Sequence, residues 1–189
     1  KVIGTFCSFV PNEIIAASGS LPLRLDCGFH EFIQPANDLL GDAGLCPLVR
    51  STIGSKILST SPYLELCDMI ISPAPCDAKL KMAEVLQDYL PVHIMNVPRA
   101  KNREIIQRQW VDEIIQVKSV LETFTGKKIT SERLKASIRL YQQAQYAWRK
   151  LTALRKQGNV IWGRDALLVA WLSFIDDISR WTEHVEKLS

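Results

Sequence analysis

Short apolar runs alternating with helical patterns through residue 98 predict an α/β fold. The run Met69-Ile70-Ile71 lacks polar alternation, as expected of a strand covered on both faces in a parallel sheet. After Pro98 the pattern is helical throughout. The fold class is therefore a Rossmann-like parallel sheet of about four strands flanked by helices, followed by a helical extension of three long helices. Residues 1–98 read as the α/β domain and 99–189 as the extension.

Lys1 to Phe6 (KVIGTF) is rich in β-formers and reads as a strand ending at Cys7. It carries no initiator Met and opens inside that strand, as a piece of a longer protein would. Pro11 opens PNEIIAASG, a short helix closed by Gly19, with Glu13 in the first turn, where the dipole favours a carboxylate. Pro22 to Leu25 reads as the second strand, ending before Asp26-Cys27-Gly28. Phe29 to Gly44 contains Pro35, Asn37, Gly41 and Gly44 and is expected to be a loop with at most one helical turn. Pro47 to Leu58 is a helix and Asp68 to Ser72 the third strand. Asp77 to Leu90 is a helix with Leu80, Ala83, Val85, Leu86 and Tyr89 on one face. Pro91 to Val97 is the fourth strand.

Arg103 to Phe124 carries Ile106, Trp110, Ile114, Val117 and Leu121 at helical spacing, and Gly126 stops it. Thr130 can cap the second long helix, with Glu132 in its first turn and Leu134, Ile138, Tyr141, Trp148 and Leu151 on the buried side. Gly158-Asn159 breaks it. Gly163-Arg164-Asp165 leads into a third helix through about Lys187, with Leu168, Trp171, Leu172, Ile175, Ile178 and Trp181 apolar.

A net charge of +3, with basic and acidic residues interspersed, gives no nucleic-acid footprint. No apolar run has the length of a membrane span, and no secretory signal opens the chain. Five cysteines, an odd number in a chain with a good core of its own, point to free thiols in a reducing, cytoplasmic setting.

The stretch from Leu45 to Lys81 organises the chemistry. Cys46 precedes Pro47, a residue suited to the first helical position, and Cys76 precedes Asp77 and an amphipathic run. Both thiols therefore sit at helix starts, where unpaired N–H groups and the dipole favour a thiolate. In a parallel sheet the loops after strand C-termini form the site-bearing edge, which holds Cys7, Cys27 and Cys76. Cys46 starts a helix that can pack beside that edge, and Cys67 falls at the opposite one. Two readings stay open for each thiol: a ligand in a metal or cluster site assembled from separate loops, or a small buried hydrophobe. Burial is the stronger reading for Cys27 and Cys67. The absence of a CxxC argues against zinc-ribbon and ferredoxin spacing.

His30, His93 and His184 are scattered, and neither GxGxxG nor GxxxxGK[ST] occurs, so no nucleotide site is indicated. Trp110, Trp148, Trp171 and Trp181 lie on helical faces and read as core.

Four stretches resemble a known family. GTFCSFVPNEIIAASGSLPLRL (Gly4 to Leu25) is similar to its opening pattern G-x-x-C-x-x-x-P-x-E-[LI]-x-x-A-x-G-x-x-P-x-R-L, and LCPLVRSTIG (Leu45 to Gly54) to its second cysteine motif. LCDMII (Leu66 to Ile71) resembles the strand before its third motif, and PAPCDAKLKMAEVL (Pro75 to Leu86) that motif itself. The family is the 2-hydroxyacyl-CoA dehydratase D-component group, which includes 2-hydroxyglutaryl-CoA dehydratase and benzoyl-CoA reductase subunits and double-cubane-cluster proteins. The resemblance covers residues 4 to 97 well and the helical half loosely.

The resemblance implies a cytoplasmic, oxygen-sensitive iron–sulfur subunit of anaerobic metabolism. It implies a four-iron four-sulfur cluster, or a double cubane in one branch, fed one electron by an ATP-hydrolysing iron–sulfur activator. The implied reaction removes water from a 2-hydroxyacyl-CoA through a ketyl radical, with a second dehydratase subunit as partner; the alternative branch is a reductase. Cys46 and Cys76 match the cluster-ligand motifs, and Cys7 matches an opening cysteine that not every branch has. Ser8 and Glu13 are the implied catalytic candidates, Glu13 being either an acid–base group or simply a helix-start carboxylate. Family members are about twice this length and have a second α/β domain, towards which the helical extension would lead. A separate class of reading, a non-catalytic α/β binding module with all cysteines in the core, also stays open.

Overall fold

Four parallel strands pair in the order β2-β1-β3-β4: β1 Val2–Thr5, β2 Leu21–Arg24, β3 Met69–Ala74 and β4 Val92–Asn96. The computed structural model describes residues 1–26, 28–41, 44–158 and 161–188. Cys27, and Asn159 of the Gly158-Asn159 helix break, lie outside the described residues. The expected α/β architecture is the observed one. All six residues of β3 are buried, in accord with its apolar run Met69-Ile70-Ile71.

The chain winds in both directions from β1. Helix α1 (Asn12–Ala17) carries it from β1 to β2. From β2 it passes through α2 (Ile33–Leu40), α3 (Pro47–Ile57) and α4 (Pro62–Glu65), crossing to β3 on the far side of β1. Helix α5 (Asp77–Leu86) then leads to β4. Side chains sort accordingly. Ile3, Met69, Ile71 and Met95 face α1 and α6 (Arg103–Thr125) through Ile14, Val117 and Leu121. Leu23, Ile70 and Phe6 face the other layer through Val49, Ile53, Met82 and Leu86 of α3 and α5. The strand order therefore reverses at the β1/β3 boundary, and such a reversal leaves a crevice beyond the strand C-termini.

Helix α7 (Ser131–Leu154) packs against α1 and α9 (Ile178–Leu188). Gly126, at a left-handed φ of 68°, ends α6. Glu122 then closes the turn, accepting from Ile129 N at 2.7 Å and Lys118 Nζ at 2.9 Å. These bonds hold its carboxyl down at about 2. No helix is long and apolar enough to cross a membrane among the described residues.

The structure corrects three expectations. Phe29 to Gly44 is not a loop: a 3₁₀ turn at His30–Phe32 runs into the eight-residue α2. Pro35 is tolerated because it falls in the first turn, where its N–H would be unpaired anyway. Gly54 then lets α3 approach, since a Cβ there would strike the Phe32 carbonyl.

The third long helix is two helices, α8 (Gly163–Leu172) and α9. Asp177 Oδ1 accepts from Ser179 N and Arg180 N, each at 3.0 Å, so a capping Asp restarts the chain as a new helix. Phe174, in the break between them, accepts from Arg24 N of β2 at 3.0 Å and lies under the Arg24 guanidinium. The break is thus a strap across the outer edge of the sheet.

Trp171, expected in the core, is half exposed, as are Leu168 and Leu172 on the same helix. Helix α8 turns little of its apolar surface inward. Trp148 and Trp181 do pack together, and Trp181 donates to Val169 O at 2.8 Å.

Candidate functional site

Each thiol takes its place from a local rule. Cys7 leaves β1 with a left-handed φ of 57°, a conformation that costs a non-glycine residue about 1 kcal/mol or more. The strain turns the chain sharply towards α1. Cys46 is the N-cap of α3 and Cys76 the N-cap of α5, both in extended backbone. Their carbonyls accept from Arg50 N and Leu80 N at 3.1 Å, so both helices start where the sequence placed them. Both side chains are exposed and neither serves as a hydrogen-bonded cap. They stand beside unpaired helix N–H groups, facing outward.

Cys67 is different. It lies before β3 at the opposite edge, half buried, with Sγ donating to Tyr63 O at 3.1 Å. Burial, reinforced by the adjacent Asp68 carboxylate, pushes its thiol up to about 12 and keeps it neutral. The sequence placement of Cys67 is the observed one.

The candidates divide into two groups. Cys7, Ser8 and Glu13 line one cavity of about 440 Å³ between α1, the outer edge of β2, α7 and the strap at Phe174. Cys46 and Cys76 stand outside it, at the starts of two helices that pack against each other. Among the described residues, no three His, Cys, Asp or Glu side chains come close enough together to hold a metal ion. Cys7 and Cys76 follow strand C-termini and Cys46 starts the helix packed against α5, and among the described residues they form no closed ligand set.

Two residues that sequence reading passed over matter here. Tyr141, assigned only to an apolar face, lines the cavity with Glu13 and Asp177. Burial first, then those two carboxylates, push its hydroxyl far above the ordinary tyrosine range, so it remains a neutral donor. Lys79, in the first turn of α5, is 5% exposed. Its signal was available: Lys79, Met82, Ala83 and Leu86 form one helical stripe, and a lysine on a buried stripe needs a reason.

Comparison with known proteins follows the same outline. The sequence profile described as "2-hydroxyglutaryl-CoA dehydratase, D-component" matches residues 7–189. YjiM of Escherichia coli (strain K12), whose name describes a dehydratase subunit, is 30% identical over 146 residues, covering 77% of this chain and 38% of that protein. A benzoyl-CoA reductase subunit from Thauera aromatica is 28% identical over 160 residues, covering 83% and 41%. The beta subunit of (R)-2-hydroxyglutaryl-CoA dehydratase from Acidaminococcus fermentans is 24% identical over 164 residues, again 83% and 41%. The chain spans about two-fifths of the length of the curated relatives it matches. With the family profile covering nearly all of it, the chain belongs to the 2-hydroxyglutaryl-CoA dehydratase D-component family.

Proposed function

We propose that this chain is the cysteine-bearing part of an iron–sulfur subunit of a cytoplasmic 2-hydroxyacyl-CoA dehydratase. The observation that carries the reading is the exposure of Cys46 and Cys76 at uncapped helix starts, within a family of dehydratase and reductase subunits. The donor chemistry fits a four-iron four-sulfur cluster: thiolates are its usual ligands, and helix N-termini favour them. Cys46 and Cys76 would hold the iron, with Cys7 from the β1 loop as a third ligand. The ligand set is completed from elsewhere in a longer protein, with residues 99–189 leading towards a second α/β domain.

A bound cluster would supply single-electron reduction of a 2-hydroxyacyl-CoA thioester, the ketyl-radical chemistry by which a 2-hydroxyl can leave, with an ATP-hydrolysing activator as the electron source. This chain's own contribution is to present the thiols at the crevice beyond β1 and β3 and to line the adjoining cavity. There Glu13 can exchange a proton, and Ser8 and Tyr141 can donate hydrogen bonds. A second dehydratase subunit is the expected partner. The benzoyl-CoA reductase branch is the second reading, favoured by the similarity to the Thauera aromatica reductase protein and by the presence of Cys7.

The test is anaerobic purification of the full-length protein with iron and sulfide analysis. Bound iron and sulfide, lost in large part in Cys46→Ser and in Cys76→Ser, are expected. Colourless, iron-free protein overturns the proposal, and a cluster spectrum unchanged in both variants overturns the ligand assignment.

A further inference from the structure

The loops after β1 and β2 and the start of α5 meet at one buried cation. The Lys79 ammonium stands 4.7 Å from the centre of the Phe6 ring and 3.4 Å from Asp26 Oδ1. Phe6 directly precedes Cys7, Asp26 directly precedes Cys27, and Lys79 follows Cys76 by three residues in the first turn of α5. A single side chain therefore touches the neighbour of a cysteine in the loops after β1 and after β2 while standing in the helix that Cys76 starts. Phe6 is fully buried and Lys79 nearly so. Arg24 also faces the pair: its Nε donates to Asp26 Oδ2 at 2.6 Å.

This is an expensive way to fill a core position. Removing an ammonium from water costs several kcal/mol, and apolar residues of similar size commonly serve stability as well or better. The other members of the same helical stripe, Met82, Ala83 and Leu86, are apolar. Fixed positive charge, however, is what an electron-accepting group held by thiolates responds to. It stabilises the more negative, reduced state, and it does so strongly where water is excluded.

Resting on the proposed function, we propose that Lys79 is a positioning residue for the cysteine-bearing edge. It ties the loops after β1 and β2 to the start of α5, and it sets one positive charge in the interior behind the residues that carry Cys7 and Cys76. Asp26 is its counterweight. The two side chains should then act on the bound group with opposite signs, which a packing role would not produce.

The experiment compares full-length wild type, Lys79→Met, Lys79→Arg and Asp26→Asn, each purified anaerobically, by iron content and by the midpoint potential of the cluster from an EPR-monitored redox titration. Lys79→Met is expected to lower the potential, Asp26→Asn to raise it, and Lys79→Arg to restore it towards wild type. An iron-loaded wild type whose potential is unmoved in the variants, or moves in the same direction in Lys79→Met and Asp26→Asn, overturns the role of Lys79 and leaves the proposed function standing. An iron-free wild type overturns both. Should Lys79→Met fail to fold, Asp26→Asn decides alone: a potential that does not rise overturns the proposal.

Discussion

The two ends of the same sheet treat the same residue type in opposite ways. At the N-terminal end, Cys67 is half buried, donates to the Tyr63 carbonyl and is held neutral. Next to it Asp68 accepts from Val2 N at 2.7 Å and Lys1 Nζ at 3.2 Å, fastening β3 to the start of β1. At the C-terminal end, Cys76 starts α5 and Cys46 starts α3, which packs against α5; both are exposed and cap nothing with their side chains. One end is used to close the fold. The other keeps two thiols outward.

Lesions at the two ends should therefore differ in kind. The largest effect is expected from Gly4→Val. A Cβ at Gly4 would strike Leu25 and lie 2.9 Å from Cys67 Sγ and 3.1 Å from Ile70 Cγ1, all in a filled interior. A loss of about 3 kcal/mol is expected by urea denaturation. Cys46→Ser and Cys76→Ser should stay within about 0.5 kcal/mol of wild type in the same assay, as exposed positions do. Equal losses at both ends would erase the contrast.

Thiol labelling of the folded protein sharpens it. Iodoacetamide followed by peptide mass spectrometry should modify Cys46 and Cys76 first, with Cys67 slower by on the order of 100-fold, because only the thiolate reacts. Comparable rates would mean that Cys67 is not held as described. Replacing Cys7 by glycine should relieve the left-handed backbone and raise stability by about 1 kcal/mol, while removing a proposed ligand. A lower denaturation midpoint would show that the thiol's packing outweighs the strain.

The smallest effect concerns acid stability. The Val2 amide first, then Lys1, hold the Asp68 carboxyl below its ordinary range. A carboxyl lowered on folding contributes stability that is complete above the unfolded value of roughly 4 and is lost as pH falls through the folded value. Asp68→Ala should thus be less stable than wild type at neutral pH, and the difference should close in strong acid. A difference independent of pH would remove the ionised carboxylate from the account.

Much of this architecture was legible because strand and helix periods alternate cleanly and because Pro47 and Asp77 mark helix starts beside Cys46 and Cys76. The α2 helix was not: Pro35, Asn37, Gly41 and Gly44 look like punctuation until Pro35 is seen to fall in a first turn. The α8–α9 break was hidden inside a continuous apolar pattern, and the signal that locates it, Asp177 as a cap, reads in sequence like any solvated charge. At the site, motif likeness found Cys7, Ser8 and Glu13, which share one cavity. Tyr141 and Lys79 escaped because helical periodicity records that a position faces inward and not what it meets there.

The strap at Phe174 takes up an outward-facing amide of β2. Leu21 N and Leu25 N donate inward to Lys1 O and Thr5 O of β1, so the alternate positions 22 and 24 turn their backbone outward. Pro22 has no amide hydrogen, and the Arg24 amide is already given to Phe174 O. The rim of β2 consequently offers no free amide hydrogen to an incoming strand, and a sheet without donors on its rim is a poor template for edge-to-edge growth.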